Sequence, residues 1–431
     1  MKVALVNPPH PYLIKPDSQA PLGLMYLASV LRTHGHDASI VNLSRYDETE
    51  AAEHVPADAE LVGLTATCID YPICERLARR IRARIPGARI VIGGPHATVA
   101  PAHVDLEVFD ALCSGEGEEV VLQMVADLQR GSLQRQYESV RIRDLDALPL
   151  PARDLMDVLG GEVFAGGQHY SGNVSSVIIT ARGCPFDCSF CGSGEIWDRA
   201  VTKRSVPNVL DEIRLVRDTY GVREFRFSDD TLNMSRPRLT ELCAGLKQLE
   251  VFWRCSVRAG LSEPDVFQMM FDSGCREVSP GIESGDQRVL DFLNKGTSVD
   301  ANRRLIEMAT RAGINVRILL MSGTPGEHRD TPEVNRAFLQ SLDYNLVSLT
   351  QFRPIPGSAI WEHPEQFGCR ILNRDLEHYN FYFWRRAEDG TPEVSPIEAV
   401  IETDLLTKAE LEENMRRMRQ YTLETGKCNT G

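Results

Sequence analysis

The chain has 431 residues, enough at roughly 150 per domain for two or three domains with buried cores. Its 47 basic and 61 acidic side chains leave a formal charge of −14, which argues against broad binding to nucleic acid or an anionic membrane. With 42% apolar side chains and 32 glycines, the composition excludes a disordered, collagen-like or small disulfide-scaffold protein. The apolar stretch at residues 22–31 is about half of what spans a bilayer. Asn7-Pro8-Pro9 interrupts the opening apolar run before it can serve as a signal peptide. The expectation is a cytoplasmic protein.

Residues 1–130 alternate strand and helix patterns. Apolar runs at 2–8, 37–43, 61–67 and 88–94 predict strands, whereas 22–35, 74–85 and 118–129 carry apolar residues at helical spacing. Gly35 is a natural stop for the first helix. The arginines of 74–85 lie off the Leu77–Ile81–Ile85 stripe and predict a solvated helix face. Near-continuous apolar strands separated by helices predict a doubly wound, Rossmann-like parallel sheet. Residues 131–171 lack a sustained period and hold charged, proline-rich pieces, which predicts a linker.

From residue 172 the rhythm restarts. Strands are predicted at 175–181, 223–229, 252–258, 276–282, 315–323 and 346–352, and helices at 207–220, 236–249, 264–273, 286–294 joined with 299–312, and 332–342. Six βα repeats within 172–370 predict a partial (β/α)6 barrel, whose chemistry sits where strands end and loops begin. Residues 371–431, with a dense aromatic run at 378–386 and a charged amphipathic helix at 404–422, are expected to form a small C-terminal, substrate-covering region.

Of eleven cysteines, Cys68, Cys243 and Cys275 stand alone in apolar segments and predict small buried hydrophobes. Cys184, Cys188 and Cys191 instead cluster directly after the first barrel strand. In a reducing compartment such clustering points to metal ligation before disulfides. A structural zinc site takes four ligands and an ordinary ferredoxin cluster four thiolates. Three thiolates on a four-iron cluster leave one iron open, a place for a substrate or cofactor to chelate.

Cys184-x3-Cys188-x2-Cys191, with Phe190 before the last cysteine, resembles the signature of the radical SAM superfamily. The resemblance implies a [4Fe–4S] cluster on these three cysteines whose open iron chelates S-adenosylmethionine (SAM). One-electron cleavage then yields a 5′-deoxyadenosyl radical that removes hydrogen from an unactivated carbon, while the protein orients the radical and excludes water. It also implies SAM contacts from Phe190, from Ser228 and Asp229 after the second strand, from Arg258 toward the SAM carboxylate, and from Glu283 and Ser284 in a GxESG-like segment. The plain alternative for Asp229, Asp230 and Glu283 is helix capping. The segments 321–327 and 353–357 end the fifth and sixth strands.

The first 130 residues resemble the cobalamin-binding domain that precedes the barrel in one branch of that superfamily. Asn7-Pro8-Pro9, Pro21-Leu22-Gly23-Leu24, Gly93-Gly94-Pro95-His96 and Gly115-Glu116-Gly117-Glu118 carry the likeness. It implies cobalamin contacts from Asn7, Pro8, Gly93, Gly94, His96 and Glu116. The D-x-H-x-x-G motif of mutases and methionine synthase does not occur; His10 and His96 lie on the corresponding loops. The branch implies cobalamin-dependent C-methylation of a small molecule in natural-product (antibiotic) biosynthesis. The alternative is a cobalamin-independent radical dehydration, deoxygenation, epimerisation or decarboxylation of a sugar or aminoglycoside. An iron–sulfur or corrinoid sensor is disfavoured, since an open iron is a liability in a passive binder. The implied partners are a small-molecule substrate and a flavodoxin- or ferredoxin-like electron donor, with neither nucleic acid nor membrane. By position, Tyr379, Tyr382 and Cys369 are candidates for a hydrogen donor; packing over the barrel is the alternative.

Overall fold

The computed structural model describes residues 1–16, 20–156, 170, 175–387 and 391–428. The chain divides into two compact units, Met1–Leu159 with Asp375–Tyr379, and Gly160–Arg374 with Asn380–Gly431.

The first unit is built on a parallel sheet of six strands: β1 (Lys2–Asn7), β2 (Asp37–Asn42), β3 (Leu61–Thr65), β4 (Arg89–Gly93), β5 (Ala111–Ser114) and β6 (Gln136–Glu138). Their spatial order is β2-β1-β3-β4-β5-β6, the doubly wound arrangement expected. Alternation along β1 explains why both faces are covered. Ala4 and Val6 pack with Leu77, Ala78 and Ile81 of α2 (Tyr71–Arg84), while Val3 and Leu5 pack with α1 (Leu22–Thr33) and α3 (Gly117–Gln129). β6 falls in the stretch read as a linker. Only Tyr137 of its three residues is buried, so the strand leaves no apolar run for the sequence pattern to detect.

The second unit holds another six-stranded parallel sheet. Its strands are β7 (Ser175–Ile178), β8 (Glu224–Phe227), β9 (Phe252–Val257), β10 (Cys275–Glu283), β11 (Asn315–Ser322) and β12 (Leu346–Gln351), paired strictly in sequence. Such neighbour-to-neighbour order is that of a (β/α) barrel wall, and among the described residues β7 and β12 do not pair to close it. The intervening helices are α4 (Val206–Tyr220), α5 (Arg236–Leu249), α6 (Pro264–Asp272), α7 (Gln287–Phe292), α8 (Val299–Arg311) and α9 (Thr331–Gln340). Local chemistry sets their ends. Ser205 accepts from the Asn208 amide to cap α4, and Ser298 from the Ala301 amide to cap α8. The helical stretches expected at 286–294 and 299–312 are α7 and α8, separated by Asn294, at φ 47, and Gly296, at φ 63.

Past the sheet, Cys369–Ile371 pairs antiparallel with Ile401–Thr403, and Trp384–Arg386 with Pro392–Val394. The charged helix α10 (Lys408–Glu424) starts at a capping box of Thr407 and Glu410. Among the described residues no helix is long and apolar enough to cross a membrane.

Candidate functional site

The three clustered cysteines lie on the excursion between two short paired segments, Ala181–Arg182 and Thr202–Lys203. At its neck Gly183 has φ 99, and any Cβ there would collide with the Ala200 carbonyl. Only glycine lets the two strands of the neck come this close. The Cys191 amide donates to the Cys188 carbonyl (3.1 Å), and the Ser193 amide to Cys191 Sγ (3.4 Å). Cys184 and Cys188 are half-buried and Cys191 is exposed. The three thiols lie within electrostatic reach of one another, and burial raises the Cys184 thiol above its ordinary value. Cys188 and Cys191, with Phe186, Arg199, Gly357 and Glu362, line a cavity of about 260 Å³.

The donor set suits an iron–sulfur cluster. Its three thiols, set on one short loop, are the ligand type such a cluster would take. Among the described residues no three His, Cys, Asp or Glu side chains converge as a single metal ion would require. A cationic group that draws thiolates also offsets the desolvation that opposes a bare thiolate on this loop.

Charged side chains from the strand ends converge behind this loop. Arg258, just past β9, is buried; its Nη1 lies 3.6 Å from Cys188 Sγ and its guanidinium 3.8 Å from the Phe186 ring centroid. Glu283, in the left-handed region at φ 61, accepts from Lys295 Nζ at 2.6 Å. That ammonium also lies 5.5 Å from the Phe190 ring centroid. Gly281 is small because a Cβ there would sit 2.6 Å from Glu283 Oε1 and 3.0 Å from Lys295 Nζ. Ser284 Oγ and the Gly285 amide both bond Asn335 Oδ1, at 3.0 and 2.6 Å, which fixes the GxESG-like turn on α9.

Asp229 faces inward. It is fully enclosed, accepts from the Thr180 amide and hydroxyl, and burial raises its carboxyl to about 6. It thus pins the end of β7, next to the cysteine loop. Its neighbour Asp230 faces outward and accepts from Ser193 Oγ at 3.1 Å. Ser228 is exposed, its amide bonded to the Ile178 carbonyl. Glu327, in the loop after β11, is buried and raised to about 7 by desolvation; it accepts from the Gly323 and Thr324 amides and from Asn414 of α10.

Sequence reasoning missed Lys295, Asn233 and a row of charges across the sheet. Arg226 is in register with Arg254, and Arg254 with Glu277; Glu277 Oε1 lies 2.9 Å from Arg317 Nε and 3.4 Å from Arg254 Nη1. The signal was available as Arg226, Arg254, Glu277 and Arg317, charges set into otherwise largely apolar strands. Of the hydrogen-donor candidates, Tyr382 bridges to Thr350 of β12. Cys369 is buried in its two-stranded ladder, which pushes its thiol up to about 11. Tyr379 is fully buried and belongs with the first unit.

In the first unit the predicted residues gather at the C-terminal edge of the sheet. Asn7 Nδ2 donates to Asn42 Oδ1 (2.8 Å), and Pro8 beside it is buried. Gly94, at φ 91, passes so close to β3 that a Cβ would stand 2.5 Å from Thr65 Oγ1. Gly93, just before it, ends β4. The Glu116 amide donates to Ser139 Oγ (2.6 Å) and its carboxylate accepts from the Ile142 amide (2.6 Å). His96 is fully buried and stacked on Tyr71 at 4.3 Å, and burial lowers it to about 4, so it stays neutral. His10 Nδ1 lies 3.0 Å from Asp70 Oδ1; Asp70 also accepts from Thr67 and Tyr12. Cys243 and Cys275 are buried as expected, whereas Cys68, between Thr67 and Asp70, is only half-buried.

Comparison with known proteins adds identity to this geometry. The family description "Radical SAM superfamily" matches residues 178–338, and "B12 binding domain" matches residues 17–125. An uncharacterized methyltransferase of Pyrococcus horikoshii, PH0819, is 30% identical over 391 residues, covering 84% of this chain and 83% of that protein. An anaerobic magnesium-protoporphyrin IX monomethyl ester cyclase of Rubrivivax gelatinosus is 26% identical over 385 residues, covering 84% and 68%. Among solved structures, the radical S-adenosylmethionine methyltransferase TsrM of Kitasatospora setae, with cobalamin and a [4Fe–4S] cluster bound, superposes with a TM-score of 0.72. It is 17% identical, and the match covers 100% of this chain and 91% of that one.

Proposed function

The chain belongs to the radical SAM superfamily, in the branch whose barrel follows a B12-binding domain, and on that premise we propose that it is a cobalamin-dependent C-methyltransferase acting on a small molecule of natural-product biosynthesis. The observation that carries this reading is the joint match of both domains, along 84% of the chain, to a protein described as a methyltransferase.

When bound, the cluster would supply the electron for reductive cleavage of a sulfonium C–S bond of SAM, and cobalamin would supply the methyl carrier. Cys184, Cys188 and Cys191 hold the cluster. Phe190 and the buried Lys295–Glu283 pair border the space where SAM sits, with Ser228 and Ser284 at the adjoining strand ends. Asp229 does not touch SAM in this reading; it fixes the strand end through Thr180. Asn7, Pro8, Gly93, Gly94 and Glu116 give the first sheet a backbone edge on which a flat corrin rests, a role supported by the close passage of Gly94. His96, stacked inside on Tyr71, holds that edge from beneath. The electron comes from a flavodoxin- or ferredoxin-like donor. The setting is the reducing cytoplasm, consistent with eleven free cysteines.

A second reading, a radical reaction that transfers no methyl group, is favoured by one observation, the similarity to a cyclase. The test separates the two. Protein reconstituted anaerobically with iron, sulfide and cobalamin is given SAM labelled on its methyl group and a pool of candidate substrates. The methylation reading expects stoichiometric cobalamin, 5′-deoxyadenosine and a product carrying the labelled methyl. SAM cleavage with an unlabelled product overturns it in favour of the second reading.

A further inference from the structure

Arg258 stands at the mouth of the barrel, yet its side chain is committed to the cysteine loop. Its backbone is clamped on both sides by one amide: Asn233 Oδ1 accepts from the Arg258 amide (2.9 Å) while Asn233 Nδ2 donates to the Arg258 carbonyl (2.9 Å). Asn233 Nδ2 is itself anchored on Ser262 Oγ at 2.9 Å. The guanidinium then has three contacts of its own. Its face covers the Phe186 ring at 3.8 Å, Nη2 donates to the Lys295 carbonyl, and Nη1 reaches Cys188 Sγ at 3.6 Å. The side chain is buried, so its charge acts in a medium of low dielectric. A planar fork held at backbone, ring and carbonyl delivers one N–H to the sulfur with little freedom left to lose.

We propose that Arg258 is a positioning residue that donates an N–H···S hydrogen bond to the Cys188 thiolate and thereby raises the reduction potential of the cluster. The proposal rests on the radical SAM reading and departs from the expectation that Arg258 serves the SAM carboxylate. The physical reason is a charge difference. The cluster gains a unit of negative charge on reduction, so a fixed cation and a donor at one of its sulfurs stabilise the reduced form more than the oxidised one.

The full chain is reconstituted anaerobically as wild type, Arg258→Gln, Arg258→Lys and Phe186→Leu, and iron and sulfide are counted. Each is then titrated without SAM, following by electron paramagnetic resonance the couple [4Fe–4S]2+ + e− → [4Fe–4S]+, with dithionite supplying the electron. Arg258→Gln is expected to load its cluster but to show at least a tenfold lower reduced-to-oxidised ratio at a fixed potential, about 59 mV for one electron. Arg258→Lys and Phe186→Leu are expected to fall between it and wild type. Equal potentials across all four, with SAM affinity falling in Arg258→Gln, would restore the carboxylate role and overturn the proposal. If Arg258→Gln fails to load, unchanged potentials in the other two variants overturn it equally. A wild type that takes up no cluster instead removes the radical SAM reading itself.

Discussion

The C-terminal edges of the two six-stranded parallel sheets share a backbone plan and differ in how their polar groups are spent. On the first sheet the polar side chains largely satisfy one another: Asn7 bonds Asn42, Asp70 bonds His10 and Thr67, and Glu116 bonds the Ile142 amide. What remains is glycine and proline backbone. On the second sheet the strand ends send charge forward, with Arg258 at Cys188 and Lys295 paired to Glu283 beside Phe190. A surface of backbone suits a broad, flat ligand, whereas a cluster with a small charged cofactor calls for placed cations and carboxylates.

That contrast can be broken most severely at the cysteines. Cys188→Ala is expected to lose the cluster and reduce 5′-deoxyadenosine release at least a hundredfold, read by iron content and chromatography, while leaving the first sheet folded. Next in size, Lys295→Met strands the Glu283 carboxylate, whose side chain is only 11% exposed. Breaking one partner of a buried pair costs about 3–5 kcal/mol, measured by denaturant unfolding. The double variant Glu283→Gln with Lys295→Met is expected to recover most of that loss. If the single variant loses under 1 kcal/mol, the charges on this edge are not what organise it.

The backbone side of the comparison is sharpened by two glycines of the first unit. Gly94→Ala meets both a left-handed φ and Thr65 Oγ1, and is expected to cost about 2 kcal/mol and to lower cobalamin retention. Gly35→Ala has a similar φ of 81 but open space around it, so about 1 kcal/mol and unchanged cobalamin are expected. The smallest effect is in pH dependence. The Glu327 carboxyl, raised in the fold from 4.5 to about 7, contributes stability that is complete below pH 4.5 and lost as pH rises through about 7. Wild type should therefore gain about 1 kcal/mol between pH 8 and pH 6 from this group, a gain that Glu327→Gln removes.

The first four strands of the first sheet and the six of the second were legible because each carries a run of apolar residues with turn residues after it. Boundaries such as Leu346–Gln351 against 346–352 differ only by frayed ends. β6 was not legible, since Gln136 and Glu138 flank a single buried tyrosine. The cysteine loop announced itself by spacing. Lys295 did not, because a lysine between Asn294 and Gly296 reads as a solvated loop cation until tertiary packing places it against Glu283. Asp229 and Asp230 are chemically identical in sequence, and only the fold sends one to Thr180 and the other to Ser193.

The pinched neck at Gly183 carries a consequence for metallocentre maturation. Because the two short segments that bracket the excursion already pair, incoming iron and sulfide meet an anchored hoop whose feet are set, and the entropy of closing that hoop is charged to polypeptide folding rather than to metallation. An apoprotein of this design should accept its inorganic core after folding, and give it up and take it back, without disturbing the wall of strands behind it.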